Sequence, residues 1–279
     1  MGEVRRSRDE RLEAGKFRVT ERDQDLLRAV GRMKVASTEQ LRKLFFADPS
    51  TASRRLSKLT ALRLLTATVA DLNRPNLYVL TEKGRDLLVE LGIESADLHV
   101  ARPVPRIDPH LMALNDLRLA LTLASRSRSG VAVTRFVADH DLRRVDGTSP
   151  YIPDVLIEIE EEGAAPVHLV AEIDLGGERA AQFAPKIETT VTLARSGRAV
   201  WGLTWPWRPV VLVQTPSRLR TLAQAIVRGG GGELWIGGLL DRVLADPFGS
   251  VFATASMVEK TPAGSELTFP GRLVRPVAA

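Results

Sequence analysis

Asp154, Glu172 and Asp174 are the residues whose types and spacing best suit chemistry. Glu172 and Asp174 stand two apart in a β-prone run, VHLVAEIDL (167–175), so on a strand both side chains project from one face. Asp154 follows Pro153 in a second such run, YIPDVLIEIE (151–160). Three carboxylates gathered there could hold Mg²⁺ through oxygen ligands, and the metal would activate water against a phosphodiester. They would also repel one another unless a metal or a cation compensates. Lys186, on a helix expected over about 178–195, could lend that charge to a catalytic set of Asp154, Glu172, Asp174 and Lys186. Arg143 and Arg179 are the expected partners if the network is purely structural.

A second constellation lies in SPSTASRRLSKLTALRLL-like sequence near the start, where the span from Pro49 to Ala70 contains no acid. Ser50 is expected to cap a helix whose Ala52, Leu56 and Leu59 fall along one side at about 100° per residue, with Arg63 at the solvent end. On another side Thr51, Arg54, Arg55 and Lys58 fall within an arc of roughly 100°, a face suited to a phosphate-lined groove.

Charge placement agrees with that reading. The 279 residues carry a formal net charge of +5. Residues 1–106 hold 21 Lys and Arg against 15 acids, whereas residues 107–279 hold 18 against 19. With hydrophobic residues at 44% and charged residues at 26%, the chain is an ordinary globular protein long enough for two domains. Zero cysteines exclude disulfides, thiol catalysis and cysteine-ligated metal sites, and suit a reducing cytoplasm. The charged N-terminus lacks a signal-peptide pattern and no apolar run is long enough to span a membrane, so a cytoplasmic protein without a membrane partner is expected.

Four domain-level segments follow from the periodicities. Residues 1–19 form a basic tail. Residues 20–92 read as helix, helix, helix, hairpin, helix, the order of a winged helix-turn-helix. Within it Thr20 caps the first helix, Ser37 and Gln40 form a capping box for the second, Arg74 sits at the hairpin tip, and Thr81 caps a last helix whose Leu87, Leu88 and Leu91 close the core. The third helix would enter the major groove of double-stranded DNA through Thr51, Arg54, Arg55 and Lys58, with Arg74 reaching the backbone or minor groove. Residues 93–109, with three prolines, read as a linker with the boundary near residue 106.

Residues 110–279 read as a helix, three strands, a helix and a strand, then a helix capped by Ser217 and ended by the glycines at 229–232, then a last strand. The fold class is therefore mixed α+β, with an α/β second domain around a mixed central sheet. That order is similar to restriction-endonuclease-like folds. Their signature implies an acid opening the second core strand and an acid, one residue, then an acid and lysine pair on the third. Pro153-Asp154 and Glu172-Ile173-Asp174 take the corresponding places, with Asp174 standing where active members carry lysine.

With both halves laid out, the chain resembles the replication-relaxation protein family of actinobacterial plasmids and integrative elements. TERDQDLLRAVGRMKVASTEQLRKLFF, STASRRLSKLTALRLL and YVLTEKG look like its winged-helix portion; HLMALND (110–116) looks like its helix after the linker; Pro153-Asp154 and EIDLGGE look like its acid-bearing hairpin. Membership implies a role in plasmid replication or DNA relaxation. His110 and Asn115 lie five apart, which does not place them on one helix face, and capping and packing account for them.

Three functions follow from these residues: a DNA-binding replication or regulatory factor that needs no cofactor, an Mg²⁺-dependent endonuclease, and an adaptor for a replication or mobilisation protein. The adaptor would dock through an exposed Trp201, Trp205 and Trp207 patch. No heptad seam specifies a homodimer, which the sequence leaves open.

Overall fold

The computed structural model describes residues 19–68, 76–101, 108–145, 151–177, 180–197, 200–203 and 206–274. The tail before residue 19, Arg74, Arg179 and Trp205 lie outside the described residues. The chain divides into two compact units, Met1–Asn115 and Asp116–Ala279.

In the first unit, helix α1 (Glu21–Met33) opens on Thr20, whose hydroxyl accepts from Asp23 N while the Asp23 carboxylate reaches back to Thr20 N, a reciprocal capping box. After the short strand β1 (Ala36–Ser37), Ser37 and Gln40 form a second box that starts α2 (Thr38–Phe45). Helix α3 (Pro49–Ala61) is capped by Asp48 rather than by the expected Ser50, because Pro49 supplies the fixed φ and missing N–H that suit a first helical position. Strands β2 (Leu65–Thr68) and β3 (Leu77–Leu80) pair antiparallel, and β1 joins the other edge of β3 in a three-stranded sheet.

Thr81 caps α4 (Glu82–Glu90), as expected. Leu88 reaches the core and Leu87 packs against it, but Leu91 is 47% exposed because it falls on the solvent side of the helix end. The core is a stripe from each helix: Leu26, Leu27 and Val30, then Leu41, then Ala52, Leu56 and Leu59.

The stretch expected to be a linker behaves differently. Leu98 is buried in this same core, Ile93 packs against it, and Val100 makes a bridge to Leu80. Helix α5 (Pro109–Ser127) begins in this unit as well: Leu111 and Met112 cover Val35, Leu77 and Val79, and buried Asn115 donates to the carbonyls of Met33 (3.1 Å) and Val35 (2.8 Å). The division therefore falls at Asn115/Asp116, within α5, because spaced apolar residues outweigh the prolines in deciding where this segment packs.

The second unit is built on a six-stranded mixed sheet in the order β4-β5-β6-β7-β8-β9. Strands β4 (Val131–Ala138), β5 (Val155–Glu161) and β6 (Val167–Asp174) form an antiparallel meander. A short helix that the sequence did not signal, α6 (Asp139–Val145), lies between β4 and β5. Helix α7 (Ala180–Ser196) returns the chain so that β7 (Arg208–Val213) pairs parallel with β6. Helix α8 (Pro216–Arg228) starts at Thr215, not at the expected Ser217, again with proline at the first position, and ends at Gly229. It leads to β8 (Ile236–Leu239), which runs parallel to β7, followed by α9 (Leu240–Ala245), β9 (Ala253–Thr254) and α10 (Ala255–Lys260).

Candidate functional site

The face of α3 follows from its cap and its buried stripe. With Ala52, Leu56 and Leu59 fixed in the core, Ser53, Arg54, Ser57 and Lys58 must point outward, and all four are exposed. Two cations and two hydroxyls thus alternate along adjacent rows of one helix surface. The Arg54 guanidinium stays near its own helix, with Nη2 3.5 Å from the Thr51 hydroxyl and Nε 3.4 Å from the Ser50 carbonyl. Thr51 itself is half-buried.

Arg55 departs from the expected outward set. Its side chain is 17% exposed, its Nε lies 2.5 Å from Asp23 Oδ1, and its Nη2 bonds Asp23 Oδ2. The reason is positional: Arg55 lies one residue around from Arg54, toward the helix side that packs on α1, where Asp23 is completely buried. Burial would raise the Asp23 carboxyl, but hydrogen bonds from Arg55 and Thr20 outweigh it and hold the group below its ordinary value.

In the second unit the placement of the acids follows from the parallel pairing of β6 and β7. Glu172 is opposite Val211 and Asp174 opposite Val213, so all four share one face of the sheet. Val211 and Val213 pack with Phe183 and Ile187 of α7 and with Leu219 and Leu222 of α8. These helices deliver one cation each. Lys186 of α7 donates to Glu172 Oε2 at 2.8 Å. Arg218, in the first turn of α8, reaches Asp174 through Nε at 3.1 and 3.2 Å and Nη2 at 2.5 Å.

Glu172 is 1% exposed. The Tyr151 hydroxyl donates to its other oxygen. Burial and the charge of Asp154 push the Glu172 carboxyl up, Lys186 and Tyr151 pull it back, and the balance lies at about 7. Burial and the Glu172 charge push the Tyr151 phenol well above its ordinary value. Asp154 is half-buried and accepts the Ile173 N–H at 2.7 Å, which ties the start of β5 to β6 between the two acids.

The structure therefore brings Asp154, Glu172 and Lys186 together, and gives Asp174 a separate cation. Arg218 is the residue that sequence reasoning missed, because it lies 44 positions from its partner. The expected structural partner Arg143 instead faces Asp139, 3.8 Å away on its own helix. Among the described residues, Asp154, Glu172 and Asp174 do not place three ligand oxygens within 4.8 Å of one another.

The tryptophan patch is a core feature. Trp201 and Trp207 are each 2% exposed and pack edge to face, with Tyr151 on the other side of Trp201. Leu156, Val170 and Leu203 complete this cluster, so neither indole offers the exposed docking surface expected from the sequence.

A sequence model described as replication-relaxation matches residues 27–202. The chain belongs to the replication-relaxation family. No curated protein and no solved structure matches it. The replication-relaxation match contains the exposed face of α3, Asp154, Glu172, Asp174 and Lys186, and ends before Arg218. Family membership supports a role in replication or relaxation.

Proposed function

We propose that this replication-relaxation protein binds double-stranded DNA through a winged helix-turn-helix in its first unit and acts in the replication or relaxation of a plasmid or mobile element. The observation that carries the reading is the row of Arg54 and Lys58, flanked by Ser53 and Ser57, on the outward side of a firmly capped third helix. Helix α3 would lie in the major groove, where an Arg can read guanine with two hydrogen bonds and a Lys can hold phosphate. Arg74, between β2 and β3, would supply the wing contact. Thr51 would contribute through Arg54, which its hydroxyl approaches. No cofactor is needed for such binding. A cytoplasmic place of action accords with this role, and among the described residues no helix is long and apolar enough to cross a membrane.

The test is a titration of a labelled random-sequence duplex over a range of salt. Binding should weaken linearly on logarithmic axes, and Arg54→Ala with Lys58→Ala should reduce the slope by about two phosphate contacts. An unchanged slope in that double variant removes α3 from the interface.

An Mg²⁺-dependent endonuclease is the second reading, favoured by the meeting of Asp154, Glu172 and Lys186. The donor set does not fit the three-carboxylate centre expected for it: both Glu172 oxygens already accept hydrogen bonds, and Asp174 is engaged by Arg218. No catalytic step is derived through a metal. Nicking of supercoiled plasmid with Mg²⁺, lost in Asp154→Ala, would restore this reading.

A further inference from the structure

Arg55 holds α3 against α1 through a carboxylate that has no contact with solvent. Asp23 is tied down from its own side as well, accepting from Thr20 N and the Thr20 hydroxyl at 2.7 Å each. The fork from Arg55 thus connects the first turn of α1 to the middle of α3 across 32 residues of sequence. Both the carboxylate and the guanidinium are planar, and two near-parallel bonds between them are satisfied at only one rotation of α3 about its axis. That rotation is the one that turns Arg54 and Lys58 outward, since they lie on either side of Arg55 at steps of about 100° per residue. Apolar packing alone resists such a rotation less sharply, because Ala52, Leu56 and Leu59 can exchange contacts with their neighbours as the helix turns.

Building on the DNA-binding reading above, we propose that Arg55, paired with buried Asp23, is a positioning residue for DNA recognition: it sets the rotation of α3 and does not itself contact the duplex. A cation in the groove would be judged by its charge, whereas this one is judged by its fit to Asp23. Arg55→Lys keeps the charge and loses the fork. Asp23→Asn with Arg55→Gln removes both charges and keeps a hydrogen-bonded pair of similar size, a replacement that buried ion pairs often tolerate.

The full chain and these variants are titrated with the random-sequence duplex at several salt concentrations. Arg55→Lys should bind about tenfold more weakly, and the Asn/Gln pair should bind within about threefold of the parent with the same salt slope. Parent-like binding by Arg55→Lys, with a slope reduced by about 0.9 in the Asn/Gln pair, overturns the proposal by making Arg55 a phosphate contact. Should the pair lose its cooperative melt, the side-chain Nε–H resonances of the parent decide: on adding duplex, Arg54 shifts and Arg55 does not. An Arg55 shift as large as that of Arg54 overturns it. Failure of the parent to bind overturns the DNA reading and this proposal together, whereas parent binding with a shifted Arg55 overturns only this one.

Discussion

Arg218 clamps Asp174 with three contacts of 2.5–3.2 Å, although the two residues come from different elements and their side chains are 16% and 4% exposed. Placing charge opposite charge there removes the need for an ion to offset the third acid of the cluster. It also creates a dependence, since an acid deprived of its cation in this position cannot be hydrated. Arg218→Ala should destabilise the second unit by roughly 3–5 kcal/mol, whereas Asp174→Leu with Arg218→Met should lie close to the parent. Denaturant unfolding of the three proteins checks this, and equal losses in both variants would contradict it.

Glu172 makes stability depend on pH in the direction opposite to an ordinary ion-paired acid. Its folded value of about 7 stands above the unfolded 4.5, so between those values the folded chain keeps a proton that the unfolded chain has released. Stability is therefore highest below about 4.5 for this group, falls as pH rises toward 7, and is level above it. The amplitude is on the order of 3 kcal/mol. Because other carboxylates titrate over part of the same window, the measurement is the difference in unfolding free energy between the parent and Glu172→Gln at each pH. A difference that stays constant from pH 4 to pH 8 would contradict the elevated value (window set by the ~2.5-unit elevation).

Local chemistry was legible where the signal is carried by neighbours in sequence. Ser37 and Gln40 form the box that their spacing predicts, and Glu172 and Asp174 share a face because strands alternate. Where two cap candidates stood close together, the sequence reading chose Ser50 and Ser217, and the structure uses Asp48 and Thr215. The residue before each proline was the better signal, since proline at the first helical position fixes where the helix starts. Partners far apart in sequence were not legible. Nothing local marks Asp23 as the companion of Arg55 or Arg218 as that of Asp174, because those pairings depend on which helix faces meet. The linker illustrates the same limit: prolines near residue 105 are visible, but the place that Leu98 takes among Leu26, Leu56 and Leu80 is a tertiary fact.

Gly84 shows how closely α4 is set against the hairpin. A Cβ at this position would lie 2.3 Å from the Leu64 carbonyl oxygen and 2.7 Å from Leu80 Cδ1. Leu64 O also accepts the Thr81 N–H and hydroxyl, so the backbone that would have to retreat is the one that anchors the cap of α4. Gly84→Ala should cost about 1–3 kcal/mol in spite of alanine's better helix propensity. Thermal melting that rises instead would mean that α4 can shift away from β2 and β3.

Asp48 sets a charge at the end of the proposed recognition helix. Its carboxylate accepts from the Ser50 hydroxyl at 2.6 Å and from Thr51 N at 2.7 Å, and those bonds lower its carboxyl to about 2. It therefore remains ionised at any pH at which the protein is folded, and it stands on the same exposed helix that presents Arg54 and Lys58. An anion there stabilises the helix start but opposes an approaching phosphate. Asparagine caps as well as aspartate without the charge, and alanine supplies neither. Asp48→Asn should leave the melt nearly unchanged and strengthen binding to random duplex, most clearly at low salt where the repulsion is least screened. Asp48→Ala should gain less, because the first turn that carries Thr51 and Arg54 loses its cap. Weaker binding by the asparagine variant with an intact melt would instead make the Asp48 carboxylate an acceptor for a base amino group in the groove.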